Sequence, residues 1–173
     1  MDCEVVRYQT AGDDQSKIAD EIREAWKEAD LILTTGGVSV GEKDLLPGVI
    51  ENLTGNVLFH GIQVKPGMPT MLSVVKGTPV LSLSGNPFAV EALFEVLAGG
   101  YLTDMEASRY LQKNQMKILK QTFVKTGKMK RIVKGRCDES GVYLPQIQKN
   151  GQLKNGIGSC LLYTSPSPRD AHE

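Results

Sequence analysis

Several features that mark particular classes of protein are scarce in this sequence. It has three cysteines, 6% aromatic residues and no excess of charge, since 20 basic residues balance 20 acidic ones. The cysteines, Cys3, Cys137 and Cys160, lie too far apart for a metal-ligand motif or a disulfide framework. The charge balance argues against general binding to nucleic acid or to a membrane surface, which requires a basic excess. A reducing, cytoplasmic location is the simpler prediction.

Long apolar runs are also missing. No stretch reaches the roughly 18 apolar residues of a membrane span, and the N-terminal sequence MDCEVVRYQT lacks the basic start and apolar core of a signal peptide. The 173 residues, 40% hydrophobic and 23% charged, are typical of a globular chain with one domain, or one domain and part of another.

Predicted strands alternate with predicted helices in the N-terminal part of the chain. Apolar residues at helical spacing predict the helices, and short apolar runs bounded by Gly or Pro predict the strands. The strands are CEVVRY (Cys3 to Tyr8), LILTT, VLFHGIQV, TMLSVV and PVLSLS, the last two joined by a hairpin at KGT. The helices are SKIADEIREAWKEA, DLLPGVIENL and GNPFAVEALFEVLAGG. This alternation predicts an α/β fold with a mostly parallel sheet.

The composition changes in the C-terminal part of the chain. Residues 1–103 are predicted to form the α/β domain, 104–122 a connecting helix, and 123–162 part of a small β domain with two strands around the turn ESG. Residues 163–173 have no apolar periodicity and contain two Ser-Pro steps, so they are predicted to be a disordered or artefactual tail.

The stretch TTGGVSVGEKD, residues 34–44, joins a predicted strand to a predicted helix. Its glycines Gly36, Gly37 and Gly41 would let backbone N–H groups approach an anion, and Ser39 would add a hydroxyl donor. It is not one of the usual nucleotide-binding fingerprints, so an ordinary turn that needs glycine is an equal alternative. Asp44 is either a Mg²⁺ ligand beside the anion or the N-cap of the next helix.

Two further turns have the same character. VKPGMP places Lys65 as a point charge before the rigid turn of Pro66 and Gly67, although most such lysines are simply solvated. SLSGNP is a second turn between a strand and a helix, formed by Ser84, Gly85, Asn86 and Pro87, and can be no more than a well-built turn. Because the carboxyl ends of parallel strands share one sheet edge, the three turns are predicted to converge on one anionic ligand.

Four other residues are weaker candidates. Asp13 is predicted at the same sheet edge, although Asp13 or Asp14 can instead cap the first helix. His60, within a strand pattern, and Trp26, on the apolar face of a helix, are predicted to be structural. Cys137 lacks the basic neighbours that would make it a nucleophile.

Taken in order and spacing, TTGGVSVGEKD, VKPGMP and SLSGNP resemble the MoeA-like molybdopterin molybdotransferases. The similarity is strong over residues 3–102 and weaker around GRCDESGVYLPQIQ. The related MogA-type adenylyltransferases share the fold but carry GGTG and a differently placed acid. The resemblance implies a three-layer, MogA-like domain whose mostly parallel sheet is flanked by helices, followed by a truncated small β domain.

The resemblance also implies an activity. The family inserts molybdate into adenylyl-molybdopterin in the presence of Mg²⁺, releases AMP and yields the molybdenum cofactor. By similarity, the catalytic residues are Asp44, Asp13 and Lys65, and Asp44 is the metal ligand. Substrate binding would fall on the residues of the three turns: Gly36, Gly37, Ser39, Gly41, Pro66, Gly67, Ser84, Gly85, Asn86 and Pro87. The full-length parent is expected to be a homodimer.

This sequence departs from the family pattern in two respects. Family members often have a second lysine shortly before KPG, where this chain has FHGIQV. They also carry two upstream domains, an opening strand and an acidic loop, so the chain is expected to be a C-terminal fragment with little or no turnover. The alternatives are a MogA-like module that binds the pterin without catalysis, and a scaffold.

Overall fold

The computed structural model describes residues 3–38, 45–99, 102, 117–123, 129–144 and 160–164. Its helices are α1 (Gln15–Ala25), α2 (Leu46–Asn52) and α3 (Pro87–Leu93), the last continued by a π-helical turn, Phe94–Ala98. Its strands are β1 (Ile32–Thr35), β2 (Asn56–His60), β3 (Val64–Lys65), β4 (Met71–Val75), β5 (Thr78–Leu83), β6 (Lys130–Cys137), β7 (Val142–Tyr143) and β8 (Cys160–Thr164). None of the helices in these ranges is long and apolar enough to span a bilayer.

The chain forms two compact units. The first comprises Met1–Ile62 and Gly67–Gly85, and the second comprises Gln63–Pro66 and Asn86–Glu173. The second unit therefore takes a short segment from within the sequence of the first. Below, each unit is described separately.

The first unit is built on a sheet with the strand order β1-β5-β4-β2. β1 and β5 are parallel, whereas β5 with β4 and β4 with β2 are antiparallel. The α/β class is thus confirmed, but pairing in this sheet is mixed rather than mostly parallel, because β4 and β5 form the hairpin predicted at KGT. Lys76 and Gly77 both have positive φ at that turn, as two-residue hairpins require.

Helices α1 and α2 share one apolar core with this sheet. Asp14 caps α1 by accepting hydrogen bonds from the N–H groups of Ser16 and Lys17, which decides between the two predicted caps. The core consists of Ala19, Ile22, Ile32, Val38, Leu46, Val49, Ile50, Leu53, Met71, Val75 and Val80. Trp26 packs against it, as its place on the apolar face of α1 predicted.

The strand predicted at Cys3–Tyr8 is wrong. Residues 3–12 contain no strand, and the side chains of Val5 and Tyr8 are 80% and 85% exposed. A strand requires a neighbour for its backbone groups, and none of the described strands pairs with this segment. The segment is held instead by Arg7, whose guanidinium forms ion pairs with Glu21 and Glu28.

The second unit is built around β6. This strand pairs in parallel with β3 and antiparallel with β7 and β8. The predicted hairpin at ESG is confirmed by β6 and β7. The predicted strand VLFHGIQV divides instead into β2 and β3, which belong to different sheets.

Two predictions at the end of the chain are revised. Residues 117–122, the end of the predicted connecting helix, contain no helix, and residues 104–116 lie outside the described part. β8 includes Tyr163 and Thr164, so the predicted tail began at least two residues too early. Residues 165–173 also lie outside the described part.

Candidate functional site

The first candidate turn follows β1. Gly36 and Gly37 have φ values of +85° and +64°, a backbone conformation that glycine adopts without strain. The N–H of Gly36 donates to the carbonyl oxygen of Leu83 at 2.9 Å, and the N–H of Leu46 donates to the carbonyl oxygen of Gly37 at 3.1 Å. The Gly36 N–H is therefore committed within the fold, which contradicts its predicted use as a donor to an anion.

The turn continues into Val38, which anchors it. Val38 is 1% exposed and belongs to the core of the first unit. The ring nitrogen Nε2 of His60 lies 2.8 Å from the carbonyl oxygen of Val38, to which its N–H donates. His60 thus has the structural role that its place in a strand pattern predicted, and that role is to hold the turn.

The second candidate turn follows β5 and lies beside the first. Thr35 and Leu83 are paired at the ends of parallel strands β1 and β5. Gly85 comes so close to the first turn that a Cβ atom added there would lie 3.7 Å from the Cα of Gly36. The predicted convergence at a shared sheet edge is thus confirmed for these two turns.

Three buried hydroxyl groups lie at this edge. The side-chain oxygen atoms of Thr34, Ser82 and Ser84 are buried and have no hydrogen-bond partner among the described residues. A buried hydroxyl without a partner costs about 1–3 kcal/mol, so native proteins rarely leave one unsatisfied. These three hydroxyls are therefore candidates for contact with a ligand.

The register of the sheet explains why the hydroxyls of Thr34 and Ser82 lie on one face. Thr34 is paired with Ser82, and paired residues of neighbouring strands project to the same face. Two residues earlier on that face, the paired residues are Ile32 and Val80 of the core. The face therefore changes from apolar to hydroxyl-bearing at the carboxyl ends of β1 and β5.

Sequence reasoning missed Thr34 and Ser82. The signal was the letters TT and SLS at the ends of two apolar runs, where alternation would otherwise continue the core. Thr34 and Ser82 each place a hydroxyl where an aliphatic side chain would continue the core. This indicates a site only once β1 and β5 are known to be neighbouring strands.

In the second unit, Lys65 lies on β3 rather than in the sheet of the first unit. This corrects the prediction that all three turns follow strands of one sheet. Lys65 is exposed, forms no ion pair with any residue that the structure describes, and lies beside Arg131 of β6 in the parallel pairing. The exposed ammonium group of Lys65 is therefore a candidate contact for an anion.

The turn that follows Lys65 is divided between the two units. Pro66 ends the segment that belongs to the second unit, and Gly67, with φ of +101°, resumes the first. The carbonyl oxygen of Gly67 accepts a hydrogen bond from the hydroxyl of Thr70 at 2.7 Å. This bond supports the rigid turn that the motif predicted.

Asn86 and Pro87 belong to the second unit, at the start of α3. The side-chain oxygen of Asn86 accepts a hydrogen bond from the N–H of Ala89 at 3.1 Å, and Pro87 occupies the first turn, where its missing N–H is harmless. The well-built turn that was the alternative reading of SGNP is thus present. It leaves the predicted ligand contacts of these residues as a prediction.

Three predicted site residues, Ser39, Gly41 and Asp44, lie outside the described part. The N-cap position of α2 falls on Leu45, without a side-chain hydrogen bond, so it is not Asp44. Asp13 is exposed and precedes the capping residue. Within the described ranges, no three His, Cys, Asp or Glu side chains are grouped so that they could hold a metal ion.

Hydrogen bonds lower the pKa of Asp14, the capping residue next to Asp13. The hydroxyl of Ser16, 2.6 Å from Asp14 Oδ1, lowers the pKa of Asp14 below its ordinary value, and the N–H groups of Lys17 and Ser16 act in the same direction. Asp14 therefore stays ionised and committed to the helix, which leaves Asp13 as the acid open to solvent in this loop.

Comparison with known sequences places this geometry in a family. Residues 1–104, more than half of the chain, match the family described as "probable molybdopterin binding domain". The chain belongs to this molybdopterin-binding domain family. The resemblance to MoeA-like proteins that the three motifs indicated is thereby confirmed.

Two curated relatives of this molybdopterin-binding domain bear the same name. The molybdopterin molybdenumtransferase of Staphylococcus aureus (strain COL) is 39% identical over 93 residues, which are 54% of this chain and 22% of that protein. The enzyme of the same name from Staphylococcus epidermidis is 28% identical over 135 residues, 78% of this chain and 32% of that protein. The chain thus spans a third or less of the length of these relatives.

A solved structure supports the fold of the molybdopterin-binding domain. The molybdopterin biosynthesis MoeA protein from Pyrococcus horikosii superposes with a TM-score of 0.65 at 24% sequence identity. The superposition covers 88% of this chain and 37% of the other. At this identity the likeness concerns the fold alone.

Proposed function

We propose that this chain is the substrate-binding part of a molybdopterin molybdotransferase, which inserts molybdate into adenylyl-molybdopterin and releases AMP during molybdenum cofactor biosynthesis. The observation that carries the proposal is that the buried hydroxyls of Thr34, Ser82 and Ser84, at the ends of β1 and β5, have no hydrogen-bond partner among the described residues. Open α/β sheets bind ligands at the carboxyl ends of their strands, where these groups lie.

The chemistry of the first unit suits a polyoxygen ligand. Hydroxyl groups donate to phosphate or molybdate oxygens, and they also accept from the amino and ring N–H groups of a pterin. They carry no charge, so they can be buried before the ligand arrives without the cost of burying an ion. Gly36 and Gly85 have no side chains, so they leave space beside the carboxyl ends of β1 and β5.

The second unit contributes a separate candidate contact for an oxyanion. Lys65 is exposed on β3 and would offer its ammonium group to an anion. Its charge is consistent with anion binding by a chain whose net charge is zero.

We assign Mg²⁺ to Asp44, with Asp13 as a second acid, on the strength of the family resemblance. The described residues provide no preformed metal cluster, so the site would depend on segment 39–44 and on substrate oxygens. Mg²⁺ commonly binds through one or two carboxylates together with phosphate oxygens. Bound there, it would offset the negative charge of the phosphoanhydride. A cytoplasmic location and a homodimeric parent protein belong to the same proposal.

The binding proposal is tested with two buried serines of one sheet. Ser82 has no partner among the described residues, whereas the hydroxyl of Ser73, also 0% exposed, lies 3.5 Å from the carbonyl oxygen of Val80. If Ser82 binds the ligand, Ser82→Ala should weaken binding of molybdate or of AMP by about tenfold or more, the loss of one good hydrogen bond to a charged group. The variant should unfold at an unchanged or higher urea concentration.

Ser73→Ala is the matched control, with the same change in volume and burial. It should leave the dissociation constant from calorimetry unchanged. Equal affinities of wild type and Ser82→Ala would remove Ser82 from the site. A wild-type chain that binds neither molybdate, AMP nor molybdopterin would overturn the proposed function.

A further inference from the structure

Lys134 of β6 is a lysine with a side chain only 8% exposed. Its Nζ lies 2.5 Å from Glu91 Oε2 and 4.8 Å from the centre of the Phe88 ring. Phe88 and Glu91 are three residues apart on α3, so they lie on one face of the helix. Since a buried ammonium is unfavourable unless it is paired, these contacts make a specific attachment of α3 to β6.

This attachment involves the same helix that begins at a candidate ligand turn. Glu91 follows Asn86 and Pro87 by little more than one helical turn, and Asn86 caps the same helix. Movement of α3 on β6 would therefore move the Asn86–Pro87 turn. The ion pair restrains such movement because it fixes both the distance and the direction between two side chains.

The same strand also holds Lys65. β3 pairs with the first part of β6, where Lys65 lies beside Arg131, and the N–H of Lys130 donates to the carbonyl oxygen of Gln63 at 3.2 Å. β6 thus fixes one candidate segment through its backbone and the other through the side chain of Lys134. Both segments belong to the second unit.

We propose that Lys134 is a positioning residue that fixes the Asn86–Pro87 turn relative to Lys65. It acts through Glu91 and Phe88 and is not itself a ligand. The inference rests on the proposed function, since the ligand-binding role of the two segments is part of that proposal. Buried ion pairs often add little net stability while selecting one arrangement, which is the property a positioning residue needs.

The test compares four variants of the full chain. Lys134→Met removes the charge and keeps an unbranched side chain, Lys134→Arg restores the charge, and Glu91→Gln removes the partner charge. Lys130→Met, at an exposed position of the same strand, is the matched control. Each variant is measured by hydrogen exchange at the amides of Ala89 and Val90, both of which bond to Asn86, and by calorimetric titration with molybdate.

Lys134→Met and Glu91→Gln should raise exchange at these two amides by about tenfold, the signature of local opening, and leave the amides of Ile132 and Val133 unchanged. Both variants should weaken molybdate binding by about tenfold. Lys134→Arg should restore exchange and affinity, and Lys130→Met should behave as wild type.

Three results would overturn the inference. The first is exchange in Lys134→Met equal to that in Lys130→Met. The second is faster exchange at all amides of the second unit, which would show a general loss of stability. The third is faster exchange at Ala89 with undiminished affinity. If the wild-type chain binds no molybdate, the proposed function fails, and the exchange measurements still decide whether Lys134 positions the turn.

Discussion

At the scale of the single residue, the informative positions are those where a side chain contradicts its surroundings. Ser82 is fully buried on a strand face whose preceding position is Val80 of the core, and its hydroxyl has no partner among the described residues. Lys134 is a buried cation between Val133 and Gly135 of β6. Apolar residues would be the stable choice for packing at both places, so their chemistry points to another purpose.

Asp14 gives a prediction on pH. Because its pKa is lowered from 3.8 in the folded protein, chiefly by the hydroxyl of Ser16, its carboxylate stabilises the fold above the unfolded pKa. That contribution is lost as the pH falls through the lowered folded value. Asp14→Asn keeps a good N-cap without titrating. The advantage of the wild type over Asp14→Asn should therefore shrink as the pH falls below about 5 and be lost once the pH passes the lowered folded pKa, as urea midpoints would show.

The adjacent acid is the control for this experiment. Asp13→Asn removes a carboxylate that is exposed and makes no hydrogen bond with the described residues. Comparison with Asp13→Asn shows how much of any change in stability comes from removing a negative charge in this loop rather than from the cap. A constant difference between wild type and Asp14→Asn from pH 6 to pH 3 would contradict the capping argument.

At the scale of the element, the close approach of α2 to the sheet depends on one glycine. A Cβ atom at Gly55 would lie 2.8 Å from the methyl carbons of Ile50 and Val75, both 0% exposed. Neither methyl can move without displacing other core side chains, because the interior is closely packed. The end of α2 therefore fits beside β4 only with glycine at this position.

Two glycine variants test this packing. Gly55→Ala should lower the free energy of unfolding by about 1–3 kcal/mol through overpacking. Gly48→Ala within α2 should raise it by up to about 1 kcal/mol, because the nearest atom to its Cβ is 4.0 Å away and alanine favours the helix. Urea denaturation of both variants provides the measurement, and a Gly55→Ala variant as stable as wild type would show that α2 can shift.

At the scale of the whole molecule, the length relative to the curated relatives bears on activity. The chain spans 22% and 32% of the two molybdenumtransferases to which it is similar. The binding groups proposed above lie within it, and we propose that the complete transferase reaction also needs the rest of the protein. We therefore expect this chain to bind its substrate without completing the reaction.

We expect this chain alone to bind adenylyl-molybdopterin but to release little or no AMP when molybdate and Mg²⁺ are added. AMP release followed by chromatography provides the measurement, with a full-length relative as the positive control. Release at the rate of the full-length enzyme would contradict the expectation.

In the full-length enzyme, an Asp44→Asn change at the matching position should abolish the dependence of AMP release on Mg²⁺.

Local patterns predicted the elements better than they predicted the pairings. The hairpin of β4 and β5 follows from a short turn between two apolar runs, and the cap of α1 follows from an acid before a helical pattern. The pairing of β3 with β6 joins residues far apart in sequence, and no local signal specifies it. For the same reason the sequence indicated Ser84 as a candidate but not Thr34.

The strand predicted at Cys3–Tyr8 shows that a local pattern alone does not make a strand. Its alternating residues satisfy the local requirement for a strand, but strands form only where a partner offers backbone hydrogen bonds. Sequence pattern supplies the first condition and tertiary structure the second. The site was predictable to the extent that adjacent turns follow adjacent strands, as the turns after β1 and β5 do.

The segment Gln63–Pro66 belongs to the second unit although it lies within the sequence of the first, and this affects how the protein can be divided. The first unit is discontinuous, and the strand that it lends to the second unit is paired with residues more than 60 positions downstream. A cloning boundary or a proteolytic cut placed after Gly85 would keep every letter of the VKPGMP motif. It would nevertheless leave Val64 and Lys65 without the strand that orders them. A gene fragment chosen by motif would thus encode the lysine without its scaffold.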